Sequence, residues 1–239
     1  MGQFIRTELL IGPEGLARLQ AARVAVFGLG GVGGNAAEAL ARSGVGALDL
    51  FDDDTVSLSN LNRQLVATHD TVGQPKVDAL AARLRSIVPA AKITPHRLFY
   101  LPELADEVDL SVFDYIVDAI DTVTAKLDLI TRAHALGVPI VSAMGAGNRL
   151  DPTCLRVGDI YKTEGCALAR VMRRELRRRG VPSLTVVYST ETPLKPRESL
   201  ESPAPTRRDV PGSMAFVPPA MGLAMASVVV RALIGIRNS

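Results

Sequence analysis

Five features of this sequence could do chemistry together: a glycine turn, an acid beyond it, two cations and a second acid. Gly28-Leu29-Gly30-Gly31-Val32-Gly33 has the spacing of a phosphate-binding turn. Glycines permit a tight bend and let backbone N–H groups approach phosphate oxygens, while the helix that follows aims its positive end at them. Asp52 stands about 20 residues further on, where a carboxylate can accept hydrogen bonds from ribose hydroxyls. Arg63 and Lys76 come next, then Asp121. Arginine offers a flat fork to phosphate oxygens and lysine a compact charge. A lone carboxylate at a sheet edge can hold Mg²⁺, which keeps most of its waters and bridges to phosphates.

The glycine turn alone would serve an NAD-dependent oxidoreductase equally well. The cations separate the readings. A diphosphate is already satisfied by the turn, whereas attack at the α-phosphorus of a triphosphate develops charge that fixed cations must stabilise. Arg63, Lys76 and Asp121 around one sheet edge therefore favour nucleotidyl transfer over hydride transfer.

The elements that must position these residues alternate. Arg23–Phe27 reads as a strand running into the glycines, followed by a helix through Asn35–Arg42 and a strand Ala47–Phe51. Pro75 suits the first turn of a helix reaching about Val88. Strands are expected at Ala91–Leu98, Tyr115–Ala119 and Pro139–Ala143, with a helix over Lys126–Leu136. Such βα alternation predicts an α/β fold, a Rossmann-like doubly wound, mostly parallel sheet with ligands at the strands' carboxyl ends. Residues 1–150 are read as the ATP-binding adenylation domain and 151–239 as a C-terminal extension of it. That extension holds strand-like runs at Thr153–Tyr161 and Leu184–Ser189 around a basic helix over 166–179. Residues 190–213, dense in proline, serine and charge, are expected to be mobile, and 218–234 to form an apolar helix. That last helix lies in an uncharged run too short for a span and containing Pro218-Pro219, so a buried core helix is expected rather than a membrane contact.

The 239 residues suffice for one large domain, and a formal net charge of +2 excludes neither a nucleic-acid nor a small-molecule partner. Two cysteines, Cys154 and Cys166, supply neither a four-cysteine zinc site nor a disulfide framework. With Arg6 and Glu8 interrupting the first apolar residues, no signal peptide is expected, and the cytoplasm is the expected location. Cys154 falls in a strand-like run and reads as core. Cys166 opens the basic helix, where a reactive role is weighed against ordinary packing and packing is preferred.

The run from Arg23 to Asp121 resembles the adenylation domain of the ubiquitin-activating-enzyme-like family, through Gly28–Gly33, Asp52, Asp54, Ser59-Asn60-Leu61-Asn62-Arg63-Gln64, Lys76 and Asp121. The resemblance implies ATP bound by Gly28, Gly30, Gly31, Gly33, Asp52, Asp54, Asn60, Arg63, Gln64, Lys76 and Asp121, with Asp121 on Mg²⁺. It also implies a homodimer in which Arg6 reaches the partner's ATP, so that Arg6, Arg63, Lys76 and Asp121 are the catalytic expectations. Members that activate sulphur carriers usually hold zinc in paired CxxC motifs, and this sequence has none. Phe4–Gly12, Val117–Lys126, Ser142–Asn148, Asp159–Lys162, Ala169–Arg177 and Pro211–Pro219 are similar to one branch, which dehydrates and cyclises threonylcarbamoyladenosine in tRNA. The likeness raises a bound K⁺ and a sulphur-transfer partner as well, for neither of which this sequence has a motif.

One feature speaks for an RNA partner independently. Arg170, Arg173, Arg174, Arg177 and Arg178 follow i, i+3, i+4, i+7, i+8 spacing and share a helix face, opposite Leu168, Val171, Met172 and Leu176. A cationic stripe complements a phosphate backbone, although a solvated basic face has the same composition. Arg207 and Arg208 are further candidates for RNA contact. Activation of a carrier protein's C-terminus, and a nucleotide-binding module without adenylation, remain as rival readings.

Overall fold

A computed structural model describes residues 2–197 and 211–236. The chain begins with α1 (Ile5–Ala21), kinked at Gly12, whose φ of 73° no other residue type adopts readily, and resumed after Pro13. Then follow β1 (Arg23–Phe27), α2 (Gly33–Ser43), β2 (Ala47–Phe51), α3 (Lys76–Ile87), β3 (Lys92–His96), β4 (Tyr115–Asp118), α4 (Val123–Leu136) and β5 (Ile140–Ala143). The chain continues with β6 (Leu155–Asp159), α5 (Ala167–Arg178), β7 (Thr185–Ser189) and α6 (Val217–Leu233). These strands form one sheet in the order β3-β2-β1-β4-β5-β7-β6. All neighbours are parallel except β6, which runs antiparallel to β7. The expected α/β, Rossmann-like fold is therefore present.

The order reverses between β1 and β4. From β1 the chain steps outward through β2 to β3, whereas β4 returns to the other side of β1. The loops leaving these two strands diverge and open a crevice at their carboxyl ends. Side-chain alternation sorts the core into two faces. Val24, Val26, Leu48 and Leu50 point towards α2, α3 and α6, while Ala25, Phe27 and Ile116 point towards α4. A third cluster joins α4 and α5 through Ile130, Met172, Leu176 and Val186. In α6, Met221, Met225 and Val229 are wholly buried, as expected of a core helix. Among the described residues no helix is long and apolar enough to cross a membrane.

Register places aromatic rings side by side on the α4 face. Phe27 pairs with Phe51 and Phe51 with His96, and each pair stacks at 4.3 Å between ring centroids. Beneath them buried Asp49 accepts a two-pronged contact from Arg23 (2.8 and 2.9 Å) and lies 2.8 Å from His96 Nε2.

The sequence reading is corrected in two places. Thr153–Tyr161 is strand only over Leu155–Asp159, because aspartates close one-turn 3₁₀ segments at both ends: Asp151 accepts from Thr153 N and Asp159 from Tyr161 N. Cys154 consequently sits in a turn, half-buried, and donates to Asp151 rather than packing in a strand. The segment expected to be mobile has pinned ends. Leu194 N donates to Asn148 O, Gly212 N to Asn148 Oδ1, and Asn62 Nδ2 to Ser213 O. Residues 198–210 of that segment lie outside the described residues.

Asp49 yields a pH-dependent prediction. Burial pushes its carboxyl up, but the hydrogen bonds from Arg23 and His96 outweigh burial and hold it below its ordinary value of 3.8. A depressed carboxylate adds stability above its unfolded value, and that stability is lost as pH falls through the lower folded value. Asp49→Asn should cost about 1.5–3 kcal/mol at neutral pH. Thermal unfolding followed down to pH 3 should show the gap between variant and parent narrowing on the acid side; a constant gap would contradict this account.

Candidate active site

The crevice is a cavity of about 1110 Å³ at the carboxyl ends of β1, β2, β4 and β5. Its size exceeds the usual range of small-ligand pockets. β1 delivers the glycine turn. Gly28 has φ +84°, and a Cβ there would stand 2.7 Å from Ala119 O. A Cβ on Gly33 would fall 1.8 Å from Gly28 O, inside any tolerable contact. Gly28, Gly30 and Gly31 line the cavity, whereas Gly33 does not. Gly33, expected among the nucleotide ligands, is also the packing glycine that lets α2 start against β1. Gly30 is open, with nothing nearer to a Cβ than Gln64 Nε2 at 3.9 Å.

β2 ends in the acid that holds this turn. Asp52 Oδ2 accepts from Leu29 N at 2.6 Å and Oδ1 from Asp54 N at 2.9 Å. Burial raises the Asp52 carboxyl above its ordinary value, partly offset by Lys76 and those two N–H groups. Lys76 opens α3, almost fully buried, with Nζ 2.6 Å from Asp54 Oδ2 and 3.9 Å from Asp52 Oδ1. It is thus compensated by Asp54, whose side chain is exposed.

The loop between β2 and α3 supplies the other expected residues. Asn60 is buried at the cavity wall, and its Oδ1 accepts from Ser57 N, so part of its role is to cap a short 3₁₀ turn. Arg63 lines the cavity, its Nη1 donating to Ser59 O and Asn62 Oδ1, both at 2.9 Å. Gln64 is 8% exposed, and its Oε1 has no hydrogen-bond partner among the described residues. An orphaned acceptor on a residue of the cavity wall fits a ligand bearing donors, as a nucleotide does. Asp121, beyond β4, is exposed on the same cavity wall, which suits a carboxylate that would hold Mg²⁺ among waters. Asp52, Asp53 and Asp54 also line the cavity, and their carboxylate oxygens lie within 4.8 Å of one another.

The structure does not bring Arg6 to this cavity. It stands exposed on α1, beside Leu9 and Leu10, which are 83% and 86% exposed. The basic face of α5 is also only partly as expected. Arg173 leans inward and donates to Thr163 O and Oγ1, and Arg177 lies over the Tyr161 ring. Arg174 and Arg178 share Glu175 with Arg179, and Arg170 is exposed. Val171, expected on the packing side, is exposed, because Ala169, Met172 and Leu176 occupy that side. Arg207 and Arg208 lie outside the described residues. Cys166 is buried and packs with Ala169, Met172 and Met144.

Three further features escaped sequence reasoning. Asp118 and Lys126 form a fully buried ion pair beneath the cavity floor. Their sequence signal is a charge within an apolar strand and another at a helix position that should face the core. Asn148 adopts φ 61° and grips Gly212 through backbone and side chain, closing the far wall with Pro211–Ser213. Phe99, 43% exposed, lines the rim opposite the glycine turn.

With this geometry in place, relatives can be compared. The pattern of the ThiF family matches residues 5–239. A Bacillus subtilis (strain 168) tRNA threonylcarbamoyladenosine dehydratase is 42% identical over 97% of this chain and 94% of its own. The crystal structure of Escherichia coli tRNA N6-threonylcarbamoyladenosine dehydratase, TcdA, in complex with ATP superposes with a TM-score of 0.85 at 32% identity. It covers 97% of this chain and 93% of that one. Escherichia coli (strain K12) molybdopterin-synthase adenylyltransferase is 40% identical, but over 58% of this chain and 54% of its own.

Two glycine substitutions should separate packing from binding. Gly33→Ala should destabilise the fold by about 1–3 kcal/mol or more, as overpacking does. Gly30→Ala should leave the melting temperature nearly unchanged while weakening binding of a fluorescent ATP analogue, since its methyl enters the cavity. Equal effects of the two variants on melting would refute the division of roles.

Proposed function

The chain belongs to the ThiF family, and on that premise we propose that it is an ATP-dependent tRNA threonylcarbamoyladenosine dehydratase. The observation that supports this most is that Arg63, Lys76 and Asp121 meet the glycine turn in one cavity at the sheet's switch point. Nearly full-length likeness to dehydratases adds to it.

The threonyl carboxylate is a poor electrophile. One of its oxygens attacks the α-phosphorus of ATP, pyrophosphate leaves, and an acyl-adenylate forms. A neighbouring ureido atom then attacks the acyl carbon and gives up its proton as AMP departs with the carboxylate oxygen. The ring closes and the nucleoside has lost one water. Both reacting groups belong to one nucleoside, so the second step enjoys a high effective molarity and needs no covalent nucleophile. That agrees with the burial of Cys166.

In this reading the N–H groups of the glycine turn and the start of α2 hold phosphate oxygens. Asp52 accepts from the ribose, and Asn60 and Gln64 complete the nucleotide's wall. Arg63 and Lys76 stabilise charge on the leaving phosphates. Lys76 must exchange Asp54 for phosphate to do so. Asp121 would hold Mg²⁺, whose contribution is to neutralise phosphate charge. Arg6 would serve a neighbouring copy's ATP in a homodimer, a reading supported by the exposed Leu9 and Leu10 on the same helix. A tRNA substrate implies the cytoplasm.

Arg170, Arg174 and Arg178 would meet the RNA backbone, with Arg173 fixing the helix from beneath through Thr163 and exposed Arg177 lying over Tyr161. Arg207 and Arg208 belong to the same proposal, and unchanged tRNA affinity in an Arg207→Ala/Arg208→Ala variant would count against them. Activation of a carrier protein's tail is the second reading. It is favoured by the likeness to molybdopterin-synthase adenylyltransferase, but that likeness leaves out much of the chain.

Incubating tRNA that carries threonylcarbamoyladenosine with the protein and Mg-ATP, then digesting it for mass analysis, decides between them. Loss of one water with AMP formation is expected, and Lys76→Ala should slow it roughly 100-fold. An unchanged nucleoside mass, with AMP formed only when a small carrier protein is added, would move the assignment to the second reading. Arg170→Ala/Arg174→Ala should weaken tRNA binding and flatten its salt dependence without altering ATP binding. An unaltered salt slope would remove α5 from the RNA surface.

A further inference from the structure

The Asp118–Lys126 pair has no part in the chemistry above, yet its placement is hard to explain by stability. Asp118 ends β4 and Lys126 lies one turn into α4, and both are wholly buried. Desolvating two charges generally costs as much as their attraction returns, so apolar residues of similar size often serve at least as well. The pair is not even fully satisfied. Lys126 Nζ lies 2.8 Å from Asp118 Oδ2, but outside hydrogen-bond geometry, and finds no other acceptor among the described residues.

What the pair does hold is a turn. Asp118 Oδ2 accepts from Ser142 Oγ on β5 at 2.6 Å, and Oδ1 accepts from Ile120 N at 3.2 Å. The carboxylate therefore joins β5, α4 and the segment Ala119–Thr122. That segment touches Gly28 on one side and presents Asp121 to the cavity on the other. Ala119 N donates to Phe27 O, which ties it to the strand that ends in the glycine turn.

We propose that Asp118 and Lys126 are positioning residues that fix the Ala119–Thr122 turn, and with it Asp121, against the nucleotide cavity. Neither touches substrate; they act through the backbone. The proposal rests on the adenylation reading for its kinetic consequence, but not for its binding consequence. A displacement of Asp121 by about 1 Å is enough to cost roughly 100-fold in rate.

The test separates stability from placement. Asp118→Asn and Lys126→Met singly should each lower Tm by roughly 10 °C, since each strands a buried charge or its partner. The double variant Asp118→Asn/Lys126→Met should recover most of that loss. Its kcat for AMP formation should stay roughly 100-fold down with the KM for ATP little changed. The Mg²⁺ concentration needed to tighten binding of a non-hydrolysable ATP analogue should rise. Ser142→Ala offers a milder probe that keeps the pair. It should reduce kcat and shift the Mg²⁺ response in the same direction, with a smaller loss of Tm than either single charge variant. Recovery of kcat and Mg²⁺ response along with Tm in the double variant, or an unaffected Ser142→Ala, would overturn the proposal. The analogue titration contains no tRNA. An error in the substrate assignment therefore appears as wild-type inactivity on tRNA, while the Mg²⁺ comparison still decides the role of the pair.

Discussion

The closeness of three backbones at one point constrains everything else in this fold. β1, the start of α2 and the segment leaving β4 converge so tightly that a Cβ on Gly28 would reach Ala119 O at 2.7 Å and one on Gly33 would reach Gly28 O at 1.8 Å. No side chain can be inserted there. In return, Gly28, Gly30 and Gly31 line the cavity without side chains of their own to fill it. Asp52 completes the arrangement by accepting from Leu29 N. The acid that could meet a ribose thus also holds the turn in shape.

Much of this was legible in the sequence. Glycine spacing, a strand before it and a helix after it report the convergence directly, because only glycine meets the steric demand. The α/β alternation gave the sheet, and the acids and cations after β2 gave the cavity wall. Other features were illegible for physical reasons. That Gly33 packs while Gly30 opens on the cavity depends on which way each Cα points, which spacing does not encode. Arg173 and Arg177 lie at the proper intervals for a cationic stripe, but Thr163 O, outside the helix, draws Arg173 inward, and Arg177, though exposed, lies over the Tyr161 ring. Cys154 sits in an apolar run, yet Asp151 takes over the local backbone and turns it. A polar side chain bonding its own backbone overrides apolar pattern, and pattern alone cannot anticipate it.

The buried charges divide by how they are compensated. Lys76 is paired with an exposed acid, Asp54, and more distantly with the buried acid Asp52. Its partner can rehydrate easily, so a phosphate can take Asp54's place at small cost. Lys126 is paired with an acid as buried as itself. Both are wholly buried, so parting either from its partner leaves a desolvated charge, and the pair is ill suited to exchange. One lysine is therefore suited to meet a changing ligand and the other to hold still. Both sit near the same nucleotide turn, about the junction of β1, β2 and β4, and the exposure of the partner rather than of the lysine distinguishes them. A cavity that must accept a highly charged ligand needs both kinds: a cation that can change partners and a fixed frame that keeps the opposing carboxylate, Asp121, from moving when it does.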